Sequence, residues 1–136
     1  MTIELTENHV EVGITVSDIA ASLSFYCETL GFVEVATMPV EWGGTLHMLR
    51  LGDAVIKLAS NDEIPKEANP PGGAAGATGL RWITLWVKDL DGVVDACSRA
   101  NRPIPGPINS NYPGVKFAMV EDPDGNWIEF VEALAE

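Results

Sequence analysis

"EVGITVSDIAASLSFYCETLGF", residues 11–32, is the stretch on which the fold turns. It opens with strict alternation. Val12, Ile14 and Val16 fall on one face of an extended strand, and Glu11, Gly13 and Thr15 fall on the other. The apolar period then changes. Ile19, Leu23, Tyr26 and Leu30 follow at helical spacing, Ser17 stands where a helix N-cap is wanted with Asp18 in the first turn, and Gly31 stands where the helix should stop. A second stretch, "WITLWVKDLDGVVDAC" from Trp82, repeats the change of period. Asp89 lies 71 positions after Asp18, Val87 71 after Val16 and Leu90 71 after Ile19.

Outward from these two anchors, Phe32 to Val35 predicts a strand and "PVEWGG" a loop. "TLHMLRL" and "AVIKLA" predict two strands joined by a turn at Gly52-Asp53, giving the order β-α-β-β-β. "KFAMVEDPDGNWIEFVE" predicts two further strands around a turn at Asp124-Gly125, with Ile128 72 positions after Ile56. "NPPGGAAGATG", residues 69–79, has no apolar period and reads as a linker between a first module at about 8–68 and a second at about 80–134. One helix on one small sheet offers little core, so the two modules are expected to pack as a single domain.

Composition narrows the class. At 136 residues, with 46% hydrophobic and 21% charged, the chain has the size and balance of one globular domain. It contains no run of 18 apolar residues, and "MTIELTENH" has neither the basic nor the apolar part of a signal peptide, so a cytoplasmic protein without membrane contact is expected. A net charge of −12 argues against a nucleic-acid partner. It serves solubility and also attracts cationic ligands from a distance. Cys27 and Cys97 both fall in helical patterns and read as reduced, buried thiols.

"VSDIAASLSFYCETLGF" and "VEDPDGNWIEFVE" resemble the signatures of the vicinal oxygen chelate superfamily, which includes glyoxalase I, bleomycin-resistance proteins, extradiol dioxygenases and methylmalonyl-CoA epimerase. The resemblance spans nearly the whole chain. It implies an α+β fold of two tandem βαβββ modules whose sheets curve around a shared cavity, and a homodimer. In metal-dependent relatives four inward-pointing strand positions carry His or Glu. By resemblance these positions are Glu11, Lys57, Trp82 and Glu129 here. Only Glu129 matches the ligand type usual at its position; Glu11 stands where histidine, or sometimes glutamine, is commoner, Lys57 where glutamate is, and Trp82 where histidine is. An ammonium has no lone pair and an indole is no metal ligand, so neither metal nor other cofactor is expected. Lys57 can replace much of the missing ion's charge between Glu11 and Glu129, and Trp82 supplies bulk.

The remaining candidates surround these four. Trp82, Thr84 and Trp86 share one strand face, which suits stacking against a planar or cationic ligand; plugging a cavity or meeting another subunit is the plainer alternative. Trp127 shares the face of Glu129. Trp42 lies in a loop that either covers the mouth or meets a neighbour. His9 shares the Glu11 face and becomes a metal ligand if the register slips by two. His47 has apolar neighbours on both faces, so its direction stays open between a structural and an acid-base role. Tyr112 lies in "NSNYPG", beside the cavity or in a plain turn. "EDPDGN" reads as a hairpin turn rather than a calcium loop.

Three functions follow in order of preference. The first is a metal-independent module that sequesters a small aromatic or cationic molecule in an acidic, Trp-lined cavity. The second is a metal-independent isomerase, epimerase or lyase, with Glu129 or Glu11 as base and Lys57 stabilising an oxyanion. The third is a metal-dependent glyoxalase-type lyase using His9, His47 and Glu129.

Overall fold

Alternation and turn chemistry build two four-stranded sheets, each with a helix on one face. The computed structural model describes residues 1–135. It divides into two compact units, Met1–Pro65 and a second beginning at Lys66. Each is a βαβββ module, so the fold is α+β.

The first unit runs β1 (Glu11–Thr15), α1 (Ile19–Leu23), β2 (Val33–Pro39), β3 (Gly44–Leu51) and β4 (Ala54–Asn61). The sheet order is β1-β4-β3-β2, with β1 parallel to β4 and the other pairs antiparallel. The helix begins one residue later than expected. Asp18, not Ser17, is the N-cap, and its carboxylate accepts from the Ala21 amide at 3.1 Å. A carboxylate at this end also complements the helix dipole, which a serine hydroxyl cannot do. After Leu23 the chain widens into π-helical turns over Ser24–Thr29. Phe25 and the next residue, Tyr26, are both buried there, their rings edge to face at 4.9 Å, and Phe32 packs on Tyr26 at 6.0 Å. Leu49, Ile56 and Leu58 complete this core from the sheet. Gly31 ends the helix with a φ of 92°, open to glycine and costly for other residues. β2 extends four residues beyond the expected Val35, with a register shift between Glu34 and Ala36.

The second unit repeats the plan with β5 (Trp82–Trp86), α2 (Leu90–Arg99), β6 (Gly106–Asn109), β7 (Val115–Glu121) and β8 (Trp127–Ala133), in sheet order β5-β8-β7-β6. Asp89 caps α2 by accepting from Gly92 at 3.0 Å, as Asp18 caps α1. Lys116 ties α2 to the sheet, with 2.8 Å bonds to both Asp91 and Glu132. These two carboxylates hold its ammonium well above the ordinary lysine range. β6 lies outside the two strands predicted in "KFAMVEDPDGNWIEFVE"; it follows Pro103 and Pro105 and contains Pro107. It is an edge strand with one partner, and prolines are tolerated at such an edge. The stretch read as a linker belongs to this unit and holds a short 3-10 turn, Gly73–Ala75.

Candidate functional site

Each sheet has one face toward its helix and one face turned from it, the open face, on which Val55, Ala59 and Val131 are nonetheless buried. On the open face of the first module, the strand register places three rows of three side chains. Glu11, Val55 and Arg50 form one row, Gly13, Lys57 and Met48 the next, and Thr15, Ala59 and Leu46 the third. Lys57 is therefore central. Its direct neighbour Gly13 has no side chain, and the space where a Cβ would sit is empty within 4 Å. The lysine reaches past it, and Nζ meets Glu11 Oε1 at 2.7 Å. His9 Nε2 takes the other oxygen, Oε2, at 3.1 Å. Glu11 is thus engaged at both oxygens. Its carboxyl is held below the ordinary value of 4.5, chiefly by the hydrogen bond from Lys57 and next by that of His9. In this arrangement Glu11 is the counter-ion of Lys57.

The second module carries the same grid with other contents. Its rows are Trp82, Trp127 and Glu121; Thr84, Glu129 and Met119; and Trp86, Val131 and Phe117. Glu129 occupies the centre, the place of Lys57. Thr84 occupies the place of Gly13, and its hydroxyl donates to Glu129 Oε1 at 2.8 Å. Among the described residues Oε2 has no hydrogen-bond partner. Trp82 and Trp86 stand 51% and 67% exposed on either side of Thr84. Trp127 is half-buried, and its Nε1 donates to Glu121 Oε1 at 3.2 Å. Tyr112 lays its ring against Phe117 at 5.6 Å, extending the third row.

Two candidates fall elsewhere. His47 pairs with Leu58 while Lys57 pairs with Met48, so His47 is on the helix side, 3.3 Å from Glu34. It does not join the Glu11–Lys57 group. Trp42, 67% exposed, donates from Nε1 to Asn61 Oδ1 at 2.8 Å, at the end of β4. Three residues of consequence escaped the sequence reading. Glu121 anchors Trp127, and its position directly across the hairpin was the available signal. Asp122 organises the β7–β8 turn, accepting from the Asp124 and Asn126 amides at 2.9 and 2.8 Å. Arg81 binds the backbone of residues 70–73, which no spacing rule foretells.

Among the described residues no group of three or more His, Cys, Asp or Glu side chains is placed to hold a metal ion. The two βαβββ modules repeat one strand plan, with Lys57 and Glu129 each on the last strand of its sheet. The model of the Glyoxalase/Bleomycin resistance protein/Dioxygenase superfamily matches residues 7–130. The chain belongs to this superfamily. YaeR of Escherichia coli (strain K12), an uncharacterized protein, is 30% identical over 125 residues, spanning 89% of this chain and 92% of YaeR. The trypanothione-dependent glyoxalase I of Leishmania major superposes with a TM-score of 0.70 at 26% identity, over 90% of this chain and 84% of that one. The antibiotic-binding protein TnmS3 from Streptomyces sp. CB03234 shares the fold, with a TM-score of 0.69 at 24% identity over 96% and 100% of the two chains. Superfamily membership accounts for the duplicated module.

Proposed function

We propose that this protein binds a planar, cationic small molecule on the open face of β5–β8 and does so without a metal. The observation that carries the reading is the second grid. A carboxylate lies at its centre, fixed by Thr84 and with one oxygen unused, between an aromatic row on either side. Indoles attract a cation over their faces, and the carboxylate completes its charge. The donor set supports the absence of a metal from the reading. Of the four family ligand positions, Lys57 and Trp82 have no lone pair to give, and Glu11 is engaged by Lys57 and His9.

Proflavine, a flat aromatic cation, and 9-anthracenecarboxylate, a flat anion, test this by tryptophan quenching in 0.5 M salt, where diffuse attraction to the acidic protein is screened. Proflavine should bind at least roughly tenfold tighter, an advantage that Glu129→Gln and Trp86→Ala each reduce. Equal affinity for the two probes would refute the charge assignment. Stoichiometric Zn, Ni, Mn or Fe in purified protein, lost on Glu129→Ala, would refute metal independence.

The free Glu129 oxygen favours one second reading, a metal-independent isomerase or lyase with Glu129 as base. Deuterium wash-in next to the carbonyl of dihydroxyacetone, abolished in Glu129→Gln, would select it. We extend the reading to a cytoplasmic homodimer without a nucleic-acid partner. Light scattering should then give twice 14.6 kDa.

A further inference from the structure

Residues 69–76 cross the second unit without pairing to any strand, and one side chain holds them there. Arg81 Nε donates to the Gly73 carbonyl at 2.7 Å, and Nη2 donates to the carbonyls of Pro70 at 2.6 Å and Pro71 at 3.4 Å. Nη1 donates to Asn69 Oδ1 at 3.0 Å, and Asn69 Nδ2 in turn donates to Asn126 Oδ1 at 3.1 Å. Every acceptor around this guanidinium is neutral.

The chain turns through Gly72 and Gly73, with φ of 95° and 55°. Gly73 then lies flat against the Trp127 ring. A Cβ there would stand 2.4–2.5 Å from three ring carbons, so no other residue fits. Within this segment only Gly73 is buried, while Pro70, Pro71, Gly72, Ala74, Ala75 and Gly76 are exposed. Apart from the Arg81 fork and the Asn69 bond, the cover over Trp127 is therefore one bare peptide on an indole. Segments with so few buried contacts open at low free energy. Trp127 is the register partner of Trp82 in the first row of the grid, and Trp82 and Trp86 are uncovered.

We infer that residues 69–76 form a strap that occupies Trp127 in place of ligand, with Arg81 as its latch. Latched, the face presents two indoles; unlatched, it presents three. Arg81 and Gly73 are thereby positioning residues that set how large a planar ligand the face accepts. The ligand part of this inference rests on the function proposed above, but the strap itself does not.

The test uses the full chain carrying Arg81→Met. Acrylamide quenching of tryptophan should rise relative to wild type, and the rise should vanish when Trp127→Phe is added. Elastase, which cuts after small residues, should nick the variant within residues 74–77 faster than wild type. Proflavine should bind roughly tenfold tighter through the added stacking surface, again only while Trp127 is present. Arg81→Lys keeps the charge without the planar fork and should fall between wild type and Arg81→Met. If circular dichroism shows Arg81→Met unfolded, Gly73→Ala, which forces the strap off the ring, decides by the same readouts. Unchanged quenching and unchanged elastase nicking in the folded variant would overturn the strap. A quenching rise without any proflavine binding to wild type would leave the strap standing and refute the ligand reading instead. Weaker proflavine binding in a folded Arg81→Met would overturn the role in ligand size.

Discussion

Replacing Asp122 by alanine should loosen the hairpin that presents Trp127 and Glu129. Asp122 is 2% exposed. Its Oδ1 accepts from the amides of Asp124 and Asn126 at 2.9 and 2.8 Å and from Asn126 Nδ2 at 3.2 Å, and Oδ2 accepts from the same Nδ2 at 3.0 Å. The two backbone bonds that close the turn, from the Asp122 amide to Asn126 and from Gly125 to the Asp122 carbonyl, remain in the variant. Three donors lose their acceptor. A hydrogen bond to a charged group is worth about 1.5–3 kcal/mol, but the carboxylate no longer has to be desolvated and water can reach part of the turn. The net loss should be about 2–4 kcal/mol. For a chain of this length that lowers Tm by roughly 6–15 °C. Asp122→Asn keeps one carbonyl oxygen for the two amides, and should lose about half as much. Urea unfolding followed by circular dichroism gives both values. A loss below about 1 kcal/mol in Asp122→Ala, or equal losses in the two variants, would show that this oxygen does not organise the turn.

Three further outcomes are expected. Lys57→Met should raise the Glu11 carboxyl pKa by removing its main hydrogen-bond donor, seen by carbon NMR titration; an unmoved titration would refute the pairing. Because the folded pKa is depressed, the pair's small contribution is present above the unfolded value and fades as pH falls through the folded one, so variant and wild type should converge in acid. Asp89→Ala should cost about 1 kcal/mol by uncapping α2, and Gly92→Ala should act through the same cap, since its Cβ would stand 2.3 Å from Asp89 Oδ2. Cys97 is fully buried and its thiol is pushed up to about 11 by desolvation, so Ellman's reagent at pH 8 should reach it only on unfolding; prompt labelling of two thiols in native protein would contradict this.

Much of the frame was legible because apolar period and internal repeat agree. Alternation placed Trp82, Thr84 and Trp86 on one face, and exposure follows it residue by residue along β5. The 71-residue offset also distinguishes the helix caps. Carried to the caps, it pairs Ser17 with Lys88, which cannot cap, and Asp18 with Asp89, which can. The direction of His47 was legible too. A two-residue turn at Gly52-Asp53 sets Leu51 opposite Ala54, and counting back from there sets His47 opposite Leu58. Other features were hidden for physical reasons. β6 pairs against local propensity, since an edge strand needs hydrogen bonds on one side only. The strap has no period because one arginine, distant by several residues, holds it through backbone carbonyls rather than side-chain packing.

The two grids show how one backbone plan acquires two chemistries. Glu11 and Trp82 correspond, as do Gly13 and Thr84, and Lys57 and Glu129. The decisive difference is the middle residue of the first strand. A glycine there leaves the central side chain without a lateral partner, so Lys57 extends along the face and neutralises Glu11. A threonine fixes the central carboxylate where it stands and leaves its second oxygen unused. On one face the central charge is paired with Glu11, and on the other the central carboxylate stands between rows that carry aromatic side chains. An oriented carboxylate with one oxygen left to solvent can take up a cation without first breaking a bond within the protein. This asymmetry is why the second module, rather than the first, is where a cationic partner should be sought.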